Sequence, residues 1–145
     1  ALNNPTTAMH VLLQKEMADR LTARPGGKDY GVLTVRLALR YDTVMLRIIP
    51  PNVFFPAPEV TSAYVRLTLR PDAPETEVRK LASILAGEVF AQRRKKSFRL
   101  LTDRYPEARV AAAFAAAGLP QDARADDIPP TAFVTLARYI QPPTP

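Results

Sequence analysis

The chain has 145 residues, no cysteine, a single histidine and 15 prolines, and its 20 Lys and Arg outnumber 14 Asp and Glu to leave a formal charge of +6. That length holds one ordinary domain or two small ones, short for a cofactor enzyme with its own substrate domain. The missing cysteines exclude disulfides and thiolate metal sites, and His10 has no second histidine with which to hold a metal. No apolar run reaches membrane-spanning length, and the positive balance points to nucleic acid or an anionic surface, or to a merely soluble basic protein.

In chain order, "MHVLL" (9–13) is a short continuous apolar run, the pattern of a buried strand with His10 inside the core. "KEMADRLTA" (15–23) follows as a short helix with Met17 and Leu21 on one face, and Pro25-Gly26-Gly27 stops it. The polar Gln14-Lys15-Glu16 sits at a strand C-terminus, the edge where open α/β sheets bind ligands, or is ordinary strand-to-helix punctuation. "GGKDYG" (26–31) lacks the spacing of a phosphate-cradling loop and has the composition of a mobile loop over a site. Residues 32–41, "VLTVRLALRY", are ambiguous: Val35, Leu37, Leu39 and Tyr41 alternate as in a strand, while Val32, Val35 and Leu39 also suit a helix. The pattern alone favours the strand.

"TVMLRII" (43–49) is a second strand, and "SAYVRLTLR" (62–70) a third, with Ala63, Val65, Leu67 and Leu69 on one face. Their link, "PPNVFFPAPEVT", is too short for a crossover helix, so the two strands are expected to be antiparallel. Its prolines fix φ and stiffen the loop. Phe54 and Phe55 sit there either as plugs under a strand connection or as rings held ready to stack on a flat base.

Pro71-Asp72-Ala73-Pro74 marks a change of character and an expected domain boundary, with residues 1–71 on one side and 72–145 on the other. Beyond it Val78, Leu81, Leu85 and Val89 fall at helical spacing from about Glu75. "FAQRRKKSFRLL" (90–101) is read as a further helix running to about Tyr105. Arg93, Arg94, Lys95, Lys96 and Arg99 would supply a broad cationic face, with no carboxylate between Glu88 and Asp103. A solvated face ordinarily carries interspersed acids, so the stretch is read as a polyanion contact. "EARVAAAFAAAG" is an Ala-rich helix stopped by Gly118. A last helix carries Phe133, Leu136, Ala137 and Ile140, with Asp127 as its N-cap, and the proline-rich 142–145 is expected to fray.

Taken together, "LLQKEMADRLTARPGGKDYGVLTV", "PPNVFFPAPEVTSAYVRL" and "VFAQRRKKSFRLL" resemble the second half of the ribosomal RNA adenine dimethyltransferases of the small subunit, over about Met9 to Ile140. The F-x-P-x-P-x-V loop occurs also in the related large-subunit methyltransferases, and Gln92-Arg93-Arg94-Lys95 argues for the small-subunit branch. The resemblance implies an α/β fold, the C-terminal part of a class I, Rossmann-like methyltransferase sheet followed by a small all-α, rRNA-binding domain. It also implies that residues 31–41 are a helix, against the pattern.

For function, the resemblance implies N6,N6-dimethylation of two adjacent adenosines in small-subunit rRNA, on an immature small ribosomal subunit, by a cytoplasmic monomer without a metal. Phe54 would pack on the target adenine, and Arg93, Arg94, Lys95, Lys96 and Arg99 would face the rRNA. The S-adenosyl-L-methionine donor would be bound by upstream sequence that this chain lacks. Asn3-Asn4-Pro5-Thr6 resembles the family's catalytic Asn-Leu-Pro-Tyr motif too faintly to take its role. The alternatives are a non-catalytic RNA-binding or ribosome-assembly module, a DNA-binding relative, a large-subunit rRNA adenine methyltransferase, or a basic interaction domain with no nucleic-acid role.

Overall fold

The computed structural model describes residues 7–141; Asn3–Thr6 and the proline-rich 142–145 lie outside them. Three strands, β1 (Ala8–Gln14), β2 (Tyr41–Ile49) and β3 (Ser62–Leu69), form one sheet in the order β1-β3-β2, with β3 antiparallel to both neighbours. The antiparallel relation expected of the second and third strands is therefore present. Ala63, Val65 and Leu67 alternate onto a buried face, which α1 (Lys15–Leu21) covers by placing Ala18 against them. The opposite face carries Leu12, Val44 and Tyr64, all exposed.

That exposed face corrects two expectations. The "MHVLL" run is not buried: β1 alternates between exposed and half-buried residues. His10 falls on the open side and stacks on Tyr64, ring centroids 5.7 Å apart, instead of sitting in the core. An apolar run covered on one face only cannot be told from a doubly covered one by composition.

Of the residues 31–41 that the resemblance implied to be helical and the alternation did not, Val32–Ala38 form a helix, α2, while Tyr41 already opens β2. Val35 and Leu39, four apart, enter the larger core. The Thr34 hydroxyl accepts from the Gly31 N–H at 3.2 Å and donates to the Arg20 carbonyl at 2.6 Å, satisfying the first turn.

Beyond Leu69 the chain is helical: α3 (Thr76–Phe90), α4 (Ser97–Thr102), α5 (Glu107–Ala117) and α6 (Pro130–Ile140). The apolar stripe of α3 (Val78, Ala82, Leu85, Ala86, Val89) and that of α6 (Phe133, Leu136, Ala137, Ile140) meet in one core with Val110 and Phe114 of α5 and with Tyr30, Val35 and Leu39 from before Pro71. Gly118 takes φ +66° and ends α5: the Leu119 N–H reaches back to the Phe114 carbonyl at 2.9 Å, a closure that needs a left-handed residue. Asp127 does not cap α6. Its carboxylate accepts the Arg124 N–H at 2.9 Å, capping a 3-10 turn at Ala125–Asp127, and α6 opens with Pro130 in its first turn. Among the described residues no helix is long and apolar enough to cross a membrane.

Candidate nucleic-acid interface

The sheet's register brings three segments to one edge. Gln14 at the end of β1 and Ile49 at the end of β2 both pair with Ser62 at the start of β3, and the Lys15 N–H donates to the Thr61 carbonyl at 2.9 Å. The proline-rich loop hangs from this edge. It begins with a 3-10 turn at Pro51–Val53, after which the Phe54 N–H donates to the Pro51 carbonyl at 3.2 Å. Phe54 is half-buried, Phe55 is fully exposed, and neither ring belongs to either hydrophobic core. Phe55, open to solvent, is no plug under the strand connection. A ring fixed at a sheet edge by prolines on either side loses little freedom when a planar group stacks on it.

Lys15 and Glu16 are engaged within α1, Lys15 with Asp19 at 2.8 Å and Glu16 with Arg20 at 3.0 Å. Among the described residues no group of three or more His, Cys, Asp or Glu converges to hold a metal ion.

The expected helix through the basic stretch is replaced by a turn. Residues 91–95 fold back after α3, the Lys95 N–H donating to the Gln92 carbonyl at 2.8 Å, and α4 begins only at Ser97. Lys96 instead makes an antiparallel bridge to Arg124, and the buried Ser97 donates its N–H to the Ala123 carbonyl at 2.9 Å. Both partners lie over 25 residues away, so spacing along the stretch could not disclose them. In a turn, consecutive side chains diverge instead of sharing a helical stripe. Arg94, Lys95, Lys96 and Arg99 are exposed, and among the described residues none is ion-paired.

Arg93 differs. Its Nε lies 2.7 Å from Asp126 Oδ1, and its Nη2 donates to the carbonyls of Gly27 (3.3 Å) and Lys28 (3.4 Å). The "GGKDYG" loop is accordingly fastened instead of hanging free. The Gly26 N–H donates to the Asp126 carbonyl at 2.8 Å, and the fully buried Tyr30 donates its hydroxyl to the Ile128 carbonyl at 2.6 Å. Burial, and secondarily the Asp126 carboxylate, push the Tyr30 phenol well above its ordinary value, so the donor proton stays in place.

The bridge adds a residue that sequence spacing did not point to. Arg124 is exposed, adjoins Lys96, and among the described residues has no carboxylate partner. Two neighbouring cations without an acid between them suit an external polyanion.

A family profile described as "Ribosomal RNA adenine dimethylase" matches residues 2–142. The chain is 40% identical over 134 residues to the ribosomal RNA small subunit methyltransferase A of Rubrobacter xylanophilus, covering 92% of this chain and 50% of that protein. With the protein of the same name from Gloeobacter violaceus it shares 37% identity over 130 residues, 90% of this chain and 48% of that one. The chain thus spans about half the length of the curated relatives it matches. Among solved structures, the 23S rRNA methyltransferase ErmE superposes with a TM-score of 0.71 at 25% identity, over 96% of this chain and 57% of that one. A dimethyladenosine transferase from Plasmodium falciparum superposes at 0.77 with 18% identity, over 92% and 57%, a likeness of fold. With a sheet and helices arranged as in these methyltransferases and a family match over nearly its whole length, the chain belongs to the ribosomal RNA adenine dimethylase family.

Proposed function

We propose that the protein carrying this chain is an S-adenosylmethionine-dependent methyltransferase that converts two adjacent adenosines of small-subunit rRNA to N6,N6-dimethyladenosine, in the cytoplasm and on an immature small subunit. The carrying observation is Phe54, outside both cores on a proline-stiffened loop at the edge where Gln14, Ile49 and Ser62 meet. Residues before Pro71 belong to the base site in this reading, and those after it to an RNA-gripping helical part.

The chemistry asks mainly for alignment. An exocyclic adenine amine is a weak nucleophile because its lone pair is delocalised into the ring, and the donor supplies an already activated methyl group. The protein must take the base out of its stack and hold it in line. Phe54 would bear on the extruded ring, while Arg94, Lys95, Lys96 and Arg99 hold phosphates by charge and by the shape of the duplex.

The described residues do not fit the donor itself. β1 passes straight through Gln14 into α1 with no glycine turn, and the carboxylates next to it are engaged with Lys15 and Arg20.

The test is to incubate the full-length protein with small-subunit particles and map dimethyladenosine by mass. Two adjacent dimethylated adenosines are expected, and no methyl transfer would overturn the proposal. The likeness to ErmE at 25% identity favours a second reading, a large-subunit target. Offering both rRNAs in one assay and finding the mark only on the large-subunit RNA would establish it.

A further inference from the structure

We propose that Arg93, although it lies inside the basic stretch, is a positioning residue and not a phosphate contact. It fastens the turn to the 26–30 loop and the 124–128 segment, and leaves Arg94, Lys95, Lys96 and Arg99 to meet RNA. The proposal rests on the reading of this turn as an RNA contact, and deepens it by dividing its cations into two kinds.

Three segments distant in sequence meet at the Arg93 guanidinium. Asp126, on the 3-10 turn, faces its Nε at 2.7 Å, and the Gly27 and Lys28 carbonyls lie within reach of Nη2 at 3.3 and 3.4 Å. Asp126 Oδ1 is enclosed; Arg93 approaches it off the line of a hydrogen bond, so the contact is an ion pair. The same loop and segment are joined beside it by Gly26 N–H to Asp126 O at 2.8 Å and by Tyr30 Oη to Ile128 O at 2.6 Å. Arg93 is half-buried, whereas Arg94, Lys95 and Lys96 are exposed.

With Nε facing Asp126 and Nη2 facing two carbonyls, only Nη1 of Arg93 is left for a phosphate. Its planar fork serves a carboxylate at Nε and carbonyls at Nη2 at once, and a lysine ammonium cannot reproduce that spread. The consequence is geometric: the turn that carries the free cations is held at a fixed attitude to the loop between α1 and α2, and α1 itself starts at the edge that bears Phe54.

The test has two arms on this chain. In the first, amide hydrogen exchange is followed at Gly26, whose N–H is held by Asp126. Arg93→Gln, Arg93→Lys and Asp126→Asn should each speed that exchange by about fivefold or more as the local lock opens, while Arg94→Gln leaves it unchanged. Unchanged exchange in all three lock variants overturns the proposal.

In the second arm, binding to an RNA hairpin with two adjacent loop adenosines is measured across salt concentrations. Arg94→Gln should lower the salt slope by about one. Arg93→Gln and Arg93→Lys should weaken binding equally at every salt concentration and keep the slope. A wild-type Arg93→Lys beside an Arg93→Gln that loses a unit of slope would make Arg93 a phosphate contact and overturn the proposal. If Arg94→Gln leaves the slope unmoved, the RNA reading of the turn fails, and the exchange arm still decides the lock.

Discussion

Replacing Arg94, Lys95 and Lys96 together by glutamine removes three exposed cations that no carboxylate of the described residues holds. None supports the fold through an ion pair, so the variant should keep the wild-type unfolding transition. Each phosphate neutralised contributes about 0.7 to 0.9 to the slope of log K against log salt, so three should lower its magnitude by about 2 to 3. Between 50 and 200 mM salt, a fourfold change, that difference makes the wild type lose roughly 15 to 60 times more affinity than the variant. Filter binding or fluorescence anisotropy with a fragment of small-subunit rRNA, at four salt concentrations, reads this directly. Parallel lines for the two proteins would refute the reasoning, because cations that touch phosphates cannot be removed without changing the counterions released. They would favour the basic interaction domain without a nucleic-acid role.

Four further outcomes are expected. Phe54→Ala in the full-length protein should cost about 1 to 3 kcal/mol of base stacking, lowering kcat/KM for methyl transfer much more than RNA affinity; equal losses of the two would favour a non-catalytic RNA-binding module. Titrating S-adenosylmethionine into this chain in a calorimeter should give no heat of binding, and a micromolar isotherm would place a donor site among its residues. Tyr30→Phe should cost about 1 to 3 kcal/mol in urea unfolding, because the buried Ile128 carbonyl loses its donor. Folding raises the Tyr30 phenol, chiefly by burial and then by Asp126, so its stabilisation is complete below the unfolded value of about 10 and falls as pH rises above it. The unfolded chain then releases a proton that the folded chain keeps, and the alkaline decline in stability should be shallower in Tyr30→Phe; identical declines would contradict this.

What could be read without the structure follows from how local its causes are. The stripe of α3, the left-handed stop at Gly118 and the alternation of β3 depend on neighbours a few residues away, and all were legible. The segment 32–38 was not, since Val35 and Leu39 suit either period and the choice is made by the core they enter, formed with α3 and α6. The basic stretch looked helical because nothing within it opposes a helix. The bridge from Lys96 to Arg124 and the Ser97–Ala123 hydrogen bond turn it instead, and both come from across the fold. His10 sat in an apolar run, and only a sheet with one covered face shows it to be exposed. At the candidate site, Phe54 was legible through the prolines around it and the family resemblance. Arg124 and the engagement of Arg93 with Asp126 were not, because each depends on a pairing that sequence order does not reveal.

The strand order has a consequence for when the base-holding edge can exist at all. β3 comes last of the three in sequence yet lies between the other two, and among the described residues β1 and β2 pair only with it. Until the ribosome has released the chain through about Leu69, Gln14 and Ile49 have no common partner and the loop with Phe54 has no fixed ends. Among the described residues the edge therefore closes only once Ser62 has a place between Gln14 and Ile49, a pairing that spans nearly fifty residues of sequence and is non-local on the β1 side.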